Sequence, residues 1–308
     1  PCAQASLAAQ CPDLSQRRYA FTLHNVASEV GMLLGPLIGL ALLNVDFRLT
    51  GCVAGALFLL FGALQWRLLP PDQGAPKPSS QLASGTAHAS ARSWLAQLAE
   101  PSLLRFVGFC ATYQVMFHQL YLAVPAFVQQ HGLGSSALSA VFTVSAVVGI
   151  ALQWPVSRWL VPRLGDAAAM GSGLALMGTA FLSPLVLAAW PQAAMLVLAT
   201  LLSLGSILCF PLFATVLPRY ARDCPLGTCY GFMSSVGGCA ALVGQAAVGA
   251  GLGTAQATPA SGVWLLLLGF ALMAADALSR MRLTLTARWL MLAGAAVVIG
   301  AILWSGWL

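Results

Sequence analysis

The chain has 308 residues, of which 59% are hydrophobic and only 7% charged, with a net charge of +6 and a mean hydropathy of +0.84. A water-soluble domain carries roughly a quarter charged residues, so this composition cannot cover a water-facing surface and excludes a soluble enzyme or binding module. Apolar runs of about 20 residues recur along the whole length, each bounded by Arg, Pro or Gly clusters, which is the signature of an all-α polytopic membrane protein.

The chain begins with Pro1, and "PCAQASLAAQCPDLSQRR" lacks the basic-then-apolar order of a signal peptide. A fragment with upstream sequence missing is therefore expected. The predicted spans follow at about 20–44, 48–68, 103–128, 136–160, 168–190, 192–217, 228–252, 261–280 and 287–307. Between the second and third spans runs Pro70 to Glu100, rich at first in Pro, Ser, Gly and Ala as a flexible linker is. From Ala91 on it reads as a short amphipathic helix on the membrane surface.

The connections alternate in charge. Arg17 and Arg18 precede the first span, and Arg67, Lys77, Arg92 and Arg105 lie around the long second connection. Arg158 and Arg163 follow the fourth span, Arg219 and Arg222 the sixth, and Arg280, Arg282 and Arg288 the eighth. Of the 14 basic residues only Arg48 falls on the other side. The positive-inside rule assigns the rich side, with the linker, to the cytoplasm. The net charge thus reports topology, and no nucleic-acid partner is expected. The setting is an integral, multi-pass cell membrane, in a bacterium the inner one.

Eight cysteines are scattered, with no C-x-x-C and no His at ligand spacing, so no metal or cofactor is expected. No H-E-x-x-H, no Ser–His pair at matching depth and no Asp pair argues for an intramembrane enzyme.

The first span contains "SEVGMLLGPLIGLALL". Gly31, Gly35 and Gly39 form a smooth stripe that lets another helix approach closely, and Pro36 kinks the helix. Glu29 lies about 9 residues into the predicted helix, roughly 13 Å along it, near mid-membrane. A carboxylate there is costly and functional by default. Two readings stay open, proton loading and a hydrogen-bonded glutamate that fixes helix packing. Asn25 and Pro36 share its face, while Gly35 and Gly39 lie towards the opposite one. One side is expected to pack and the other to line a cavity.

The third span carries a polar stripe, Gln114, His118, Tyr121 and Pro125, at i, i+4, i+7 and i+11. It reads as a cavity lining, with His118 a second proton candidate because imidazole titrates near neutral pH. On the fourth span Ser145, Gly149, Gln153 and Ser157 recur every four residues, as a cavity face or a helix contact.

A weak internal repeat links Pro1, Tyr19-x-Phe21 and Gly39 with Pro211, Tyr230-x-Phe232 and Gly249, six spans apart. That period implies a six-helix unit repeated in parallel.

"GMLLGPLIG" resembles the G-x-x-x-G-P-x-x-G signature on helix five of drug:proton antiporters of the major facilitator superfamily, and the flanking "RRYAFTLHNVASEVG" and "DFRLTGCVAGALFLL" are similar too. The likeness spans about residues 1 to 282. It implies a counterpart of the family's G-x-x-x-D-R-x-G-R cytoplasmic loop at "SRWLVPRLGD", with Arg158, Arg163, Gly165 and Asp166, although the leading Gly and the Asp-Arg pair are absent. The resemblance implies a major-facilitator-type bundle lacking its first four helices. Residues 1–69 would end the first six-helix unit, 70–102 form the linker, 103–282 the second unit, and 283–308 an added terminal span.

The function implied is proton-coupled export of small lipophilic or cationic compounds by alternating access. Glu29 and His118 are the proton candidates, and Asn25, Gln114, His118, Tyr121 and Gln153 the substrate candidates. Partners are the substrate, protons and the bilayer, with a monomer the default. The rival is a non-transporting scaffold.

Overall fold

The computed structural model describes residues 2–11, 13–43, 47–68, 98–220, 225–253 and 261–279. The expected linker and the ninth span, 287–307, lie outside the described residues. The chain divides into two compact units, Pro1–Leu33 with Gln97–Leu308, and Leu34–Ala96.

The helices are α1 (Cys2–Gln10), α2 (Leu14–Leu43), α3 (Phe47–Leu68), α4 (Pro101–Gln130), α5 (Ser135–Pro155), α6 (Val161–Leu164), α7 (Asp166–Ala180), α8 (Ser183–Val186), α9 (Pro191–Val216), α10 (Leu226–Gly253) and α11 (Ser261–Ser279). Each span expected before 287 is helical, because a backbone in lipid must satisfy its own hydrogen bonds. Ser135–Leu164, Asp166–Val186, Pro191–Arg219 and Leu226–Leu252 are long and apolar enough to cross a membrane. Helices α2 and α4, at 30 residues each, have the length and carry more polar side chains. Two boundaries differ from expectation. A short helix, α1, precedes the first span, and the span expected at 168–190 breaks at Phe181–Leu182 ahead of Pro184. There the Ser183 hydroxyl lies 2.8 Å from the Ala180 carbonyl and 2.9 Å from that of Ala194, tying the break to α9.

In the larger unit α9 runs along α7 and α5, α10 along α4, and α11 along α7. Glycines set the closest approaches. A Cβ at Gly173 would stand 2.8 Å from the Gly205 carbonyl oxygen, and one at Gly178 would stand 2.6 Å from Cβ of Ala271. So α7 is held between α9 and α11 by absent side chains, the packing that membranes favour where the hydrophobic effect gives no drive. Proline leaves carbonyls to satisfy. Pro218 has no N–H for the carbonyl of Ala214, and the Tyr230 hydroxyl donates to it instead. In the proposed repeat the matching tyrosine, Tyr19, is 63% exposed, so the two copies do different work.

After Pro155 the fourth span widens into a π turn, Val156–Leu160, before continuing as α6. Gly165 then turns the chain at φ +80°, in the left-handed region where a side chain would be strained. The smaller unit contributes the end of α2 and α3. Most of the described α3 side chains are exposed, Phe58 and Leu59 nearly four-fifths so, as on a helix whose surroundings are apolar.

Candidate functional site

Polar side chains of α2 and α5 meet in one seam of the larger unit. Phe21, Thr22, Asn25 and Glu29 of α2 are buried, a row at i, i+1, i+4 and i+8 on one helical face. Asn25 Nδ2 donates to Gln153 Oε1, and Gln153 Nε2 donates to Ser157 Oγ at 3.1 Å. Both amides sit where water is scarce, and pairing avoids the cost of leaving either unsatisfied.

Glu29 lies at the middle of α2, and 7% of its surface is exposed. Its carboxyl occupies the notch left by Gly149: a Cβ there would stand 2.8 Å from Glu29 Cδ. Glu29 Oε2 is buried with no hydrogen-bond partner among the described residues. A buried oxygen without a donor is rare in a native fold and calls for an explanation beyond packing. Deeper between α5 and α9, Ser145 and Ser203 share a 2.7 Å hydrogen bond. Tyr113 and Ser206 share one of 2.9 Å between α4 and α9.

The Asn25–Glu29 face, expected to line a cavity, is buried in the seam. Gly31 is exposed, and a Cβ at Gly31 or Gly35 meets nothing within 4 Å among the described residues. Paired amides outweigh a smooth surface in choosing which face packs. The backbones of Pro36 and Gly39 are helical.

The α4 stripe is divided among neighbours. Gln114 lines a cavity of about 50 Å³ with Gln4, Tyr113, Phe210 and Met233. His118 Nδ1 lies 2.8 Å from the Gln114 carbonyl, which places a proton on Nδ1. Tyr121 stacks on Phe142 of α5 at 5.7 Å between ring centroids and is half exposed. Thus Asn25, Glu29 and Gln153 come together, and on α4 the His118 and Tyr121 rings lie 6.4 Å apart.

At the arginine-rich end, Asp166 opens α7, where the helix dipole favours a carboxylate. It accepts from Arg18 of α2 and, at 2.9 Å, from Arg219 in the short turn that follows α9. Gly165 and Asp166 therefore act together, whereas Arg163 is exposed and Arg158 lies over the Trp154 ring at 5.1 Å. The Arg18–Asp166 pair and the Gly149 notch were not foreseen from sequence. The four-residue recurrence on the fourth span was the one signal for Gly149.

A family model described as Major Facilitator Superfamily matches residues 1–245. A second, described as ABC transporter permease YehY, N-terminal domain, matches residues 183–308, under half of the chain. An uncharacterized MFS-type transporter of Mycobacterium tuberculosis is 26% identical over 265 residues, covering 83% of this chain and 61% of its own. Multidrug resistance protein MdtH of Aeromonas salmonicida is 25% identical, covering 76% and 57%. The MdtH of an Enterobacter species is 28% identical, covering 70% and 51%. The chain thus spans half to three-fifths of the length of these relatives. No solved structure matches.

Proposed function

Because the chain belongs to the major facilitator superfamily, we propose that it works as a secondary transporter of small molecules rather than as an enzyme. Within that reading it exports lipophilic or cationic compounds in exchange for protons, from the inner membrane of a bacterium with the linker in the cytoplasm. Relatives named multidrug resistance protein support the substrate class. The observation that carries proton exchange is Glu29, whose buried Oε2 has no partner among the described residues, in a seam where Asn25 and Gln153 are paired.

In alternating access a site opens to one side at a time. Parting α2 from α5 and α7 breaks the Asn25–Gln153 and Arg18–Asp166 contacts and brings water to Glu29. Closing them returns its carboxyl to the Gly149 notch. Glu29 is the group that exchanges the proton, and His118 is the second candidate. Asn25, Gln114, Tyr121 and Gln153 are the substrate-facing residues of the open form.

The test is uptake of a fluorescent lipophilic cation into everted vesicles with an acidic lumen. Gradient-driven uptake is expected with the unaltered chain and should fall to background in Glu29→Gln, while downhill equilibration of the dye persists. Uptake that survives in Glu29→Gln removes this residue from proton exchange. No uptake from a well-folded chain would favour the scaffold.

A further inference from the structure

We propose that the cleft between the start of α2 and the π turn after α5 binds a phosphate-bearing anion, and that its occupant is the headgroup of an anionic phospholipid in the leaflet on the arginine-rich side. The cleft measures about 270 Å³, far beyond the ~15 Å³ that one water needs, so it has room for a phosphate group and its surroundings.

Its walls supply donors and positive charge. Arg18 and Arg158 both line it, with Ser157, Thr22, Tyr19 and Trp154. Arg18 spends one end of its guanidinium on Asp166 and leaves its Nε–H buried without an acceptor among the described residues. Arg158 makes a face contact with Trp154 and no ion pair among the described residues. Ser157 Oγ accepts from Gln153, which leaves its O–H to donate.

The carboxylates nearby are already engaged. Asp166 is shared between Arg18 and Arg219, and Asp13 accepts from the Ser15 hydroxyl. Two arginines line the cleft, and the carboxylate paired with Arg18 is shared with Arg219, so the surplus charge is positive. A phosphate oxygen in the cleft would meet a guanidinium pair, the geometry that recognises phosphate best.

The rim identifies the source. Tyr19, Trp154 and Trp159 are 63%, 47% and 57% exposed, and the two indoles meet edge to face at 6.0 Å. Exposed aromatic rings with a polar edge settle at the headgroup level of a bilayer. A basic cleft at that depth, between two membrane-length helices, is placed to take a lipid phosphate before a soluble one. This assignment does not depend on the transport reading.

The purified chain in mild detergent would be incubated with equal amounts of dioleoylphosphatidylglycerol and dioleoylphosphatidylcholine, and bound lipid read by native mass spectrometry. Retention of phosphatidylglycerol over phosphatidylcholine is expected. It should fall about fivefold in Arg158→Gln, the factor for removing one basic residue beside an anionic headgroup. Arg158→Lys, which keeps the charge and controls for the fold, should preserve most of it. A second arm offers inorganic phosphate. Displacement of bound phosphatidylglycerol by phosphate supports the site. Phosphate binding with no lipid retained overturns the lipid occupant. Equal retention of the two lipids, or retention unchanged in Arg158→Gln, overturns the site itself.

Discussion

Glu29 fits its place because residue 149 has no side chain, and the same arithmetic governs the other close glycines. An alanine Cβ at 149 would press on a carboxyl at 2.8 Å, and that group can swing away by rotating its side chain. An alanine Cβ at 205 would press on the backbone oxygen of Gly173 at 2.6 Å, and backbone cannot rotate away. Overpacking costs about 1–3 kcal/mol, occasionally more. Gly205→Ala should therefore destabilise by the upper part of that range and Gly149→Ala by the lower. Thermal melts in detergent would show the order, and an equal loss for both would mean that α7 and α9 shift apart freely. Gly149→Ala should also depress gradient-driven uptake, since it evicts the Glu29 carboxyl.

Between elements, α2 is joined to α5 by side chains that reach across the seam. Asn25–Gln153 is its buried bond, and the part-exposed Arg18–Asp166 pair ties the same helix to α7. Removing one partner of a buried pair leaves the other without water or bond, at about 1–3 kcal/mol. Asn25→Leu and Gln153→Leu should each cost that much, and the double variant clearly less than their sum. A coupling of 0.5 kcal/mol or more, the level seen for residues in contact, is the expected result of the cycle. Strict additivity would show that the two amides are not bonded in the membrane. The four-residue recurrence on the fourth span left cavity face and helix contact as equals. The seam decides for contact at Gly149 and Gln153: the Asn25 and Gln153 amides satisfy each other, and the Glu29 carboxyl fills the space that residue 149 leaves.

At the scale of the whole molecule, the expected topology gathers the basic residues on one side of the membrane. Gly132 and Gly134 close the turn between α4 and α5 with no Lys or Arg, while Arg158 and Arg163 crowd the next. A cysteine placed at Ser136 should react with an impermeant maleimide in intact cells, above the background of the native cysteines. One placed at Arg163 should react only after the membrane is opened. Both positions are exposed, so access is set by side and not by burial, and the opposite pattern would invert the assigned topology.

The described helices and their approximate ends follow from the sequence alone, because each is a local consequence of putting a backbone in lipid, and the expected charged side rests on the same local chemistry. An apolar stretch must close its own hydrogen bonds, and a cation must stay near water. The glycine–proline signature carried the family in the same local way. Which face of a helix is buried is not local. Gly31 and Gly35 look as able to pack as Gly173, Gly178 and Gly205, and of these five only the last three meet a neighbour among the described residues. Arg18 and Arg219 come to Asp166 from helices far away in sequence, and the Glu29 carboxyl found its notch on α5. Those outcomes depend on the competition among all the faces at once, and the tertiary structure decides it by pairing the polar groups that no helix can satisfy by itself.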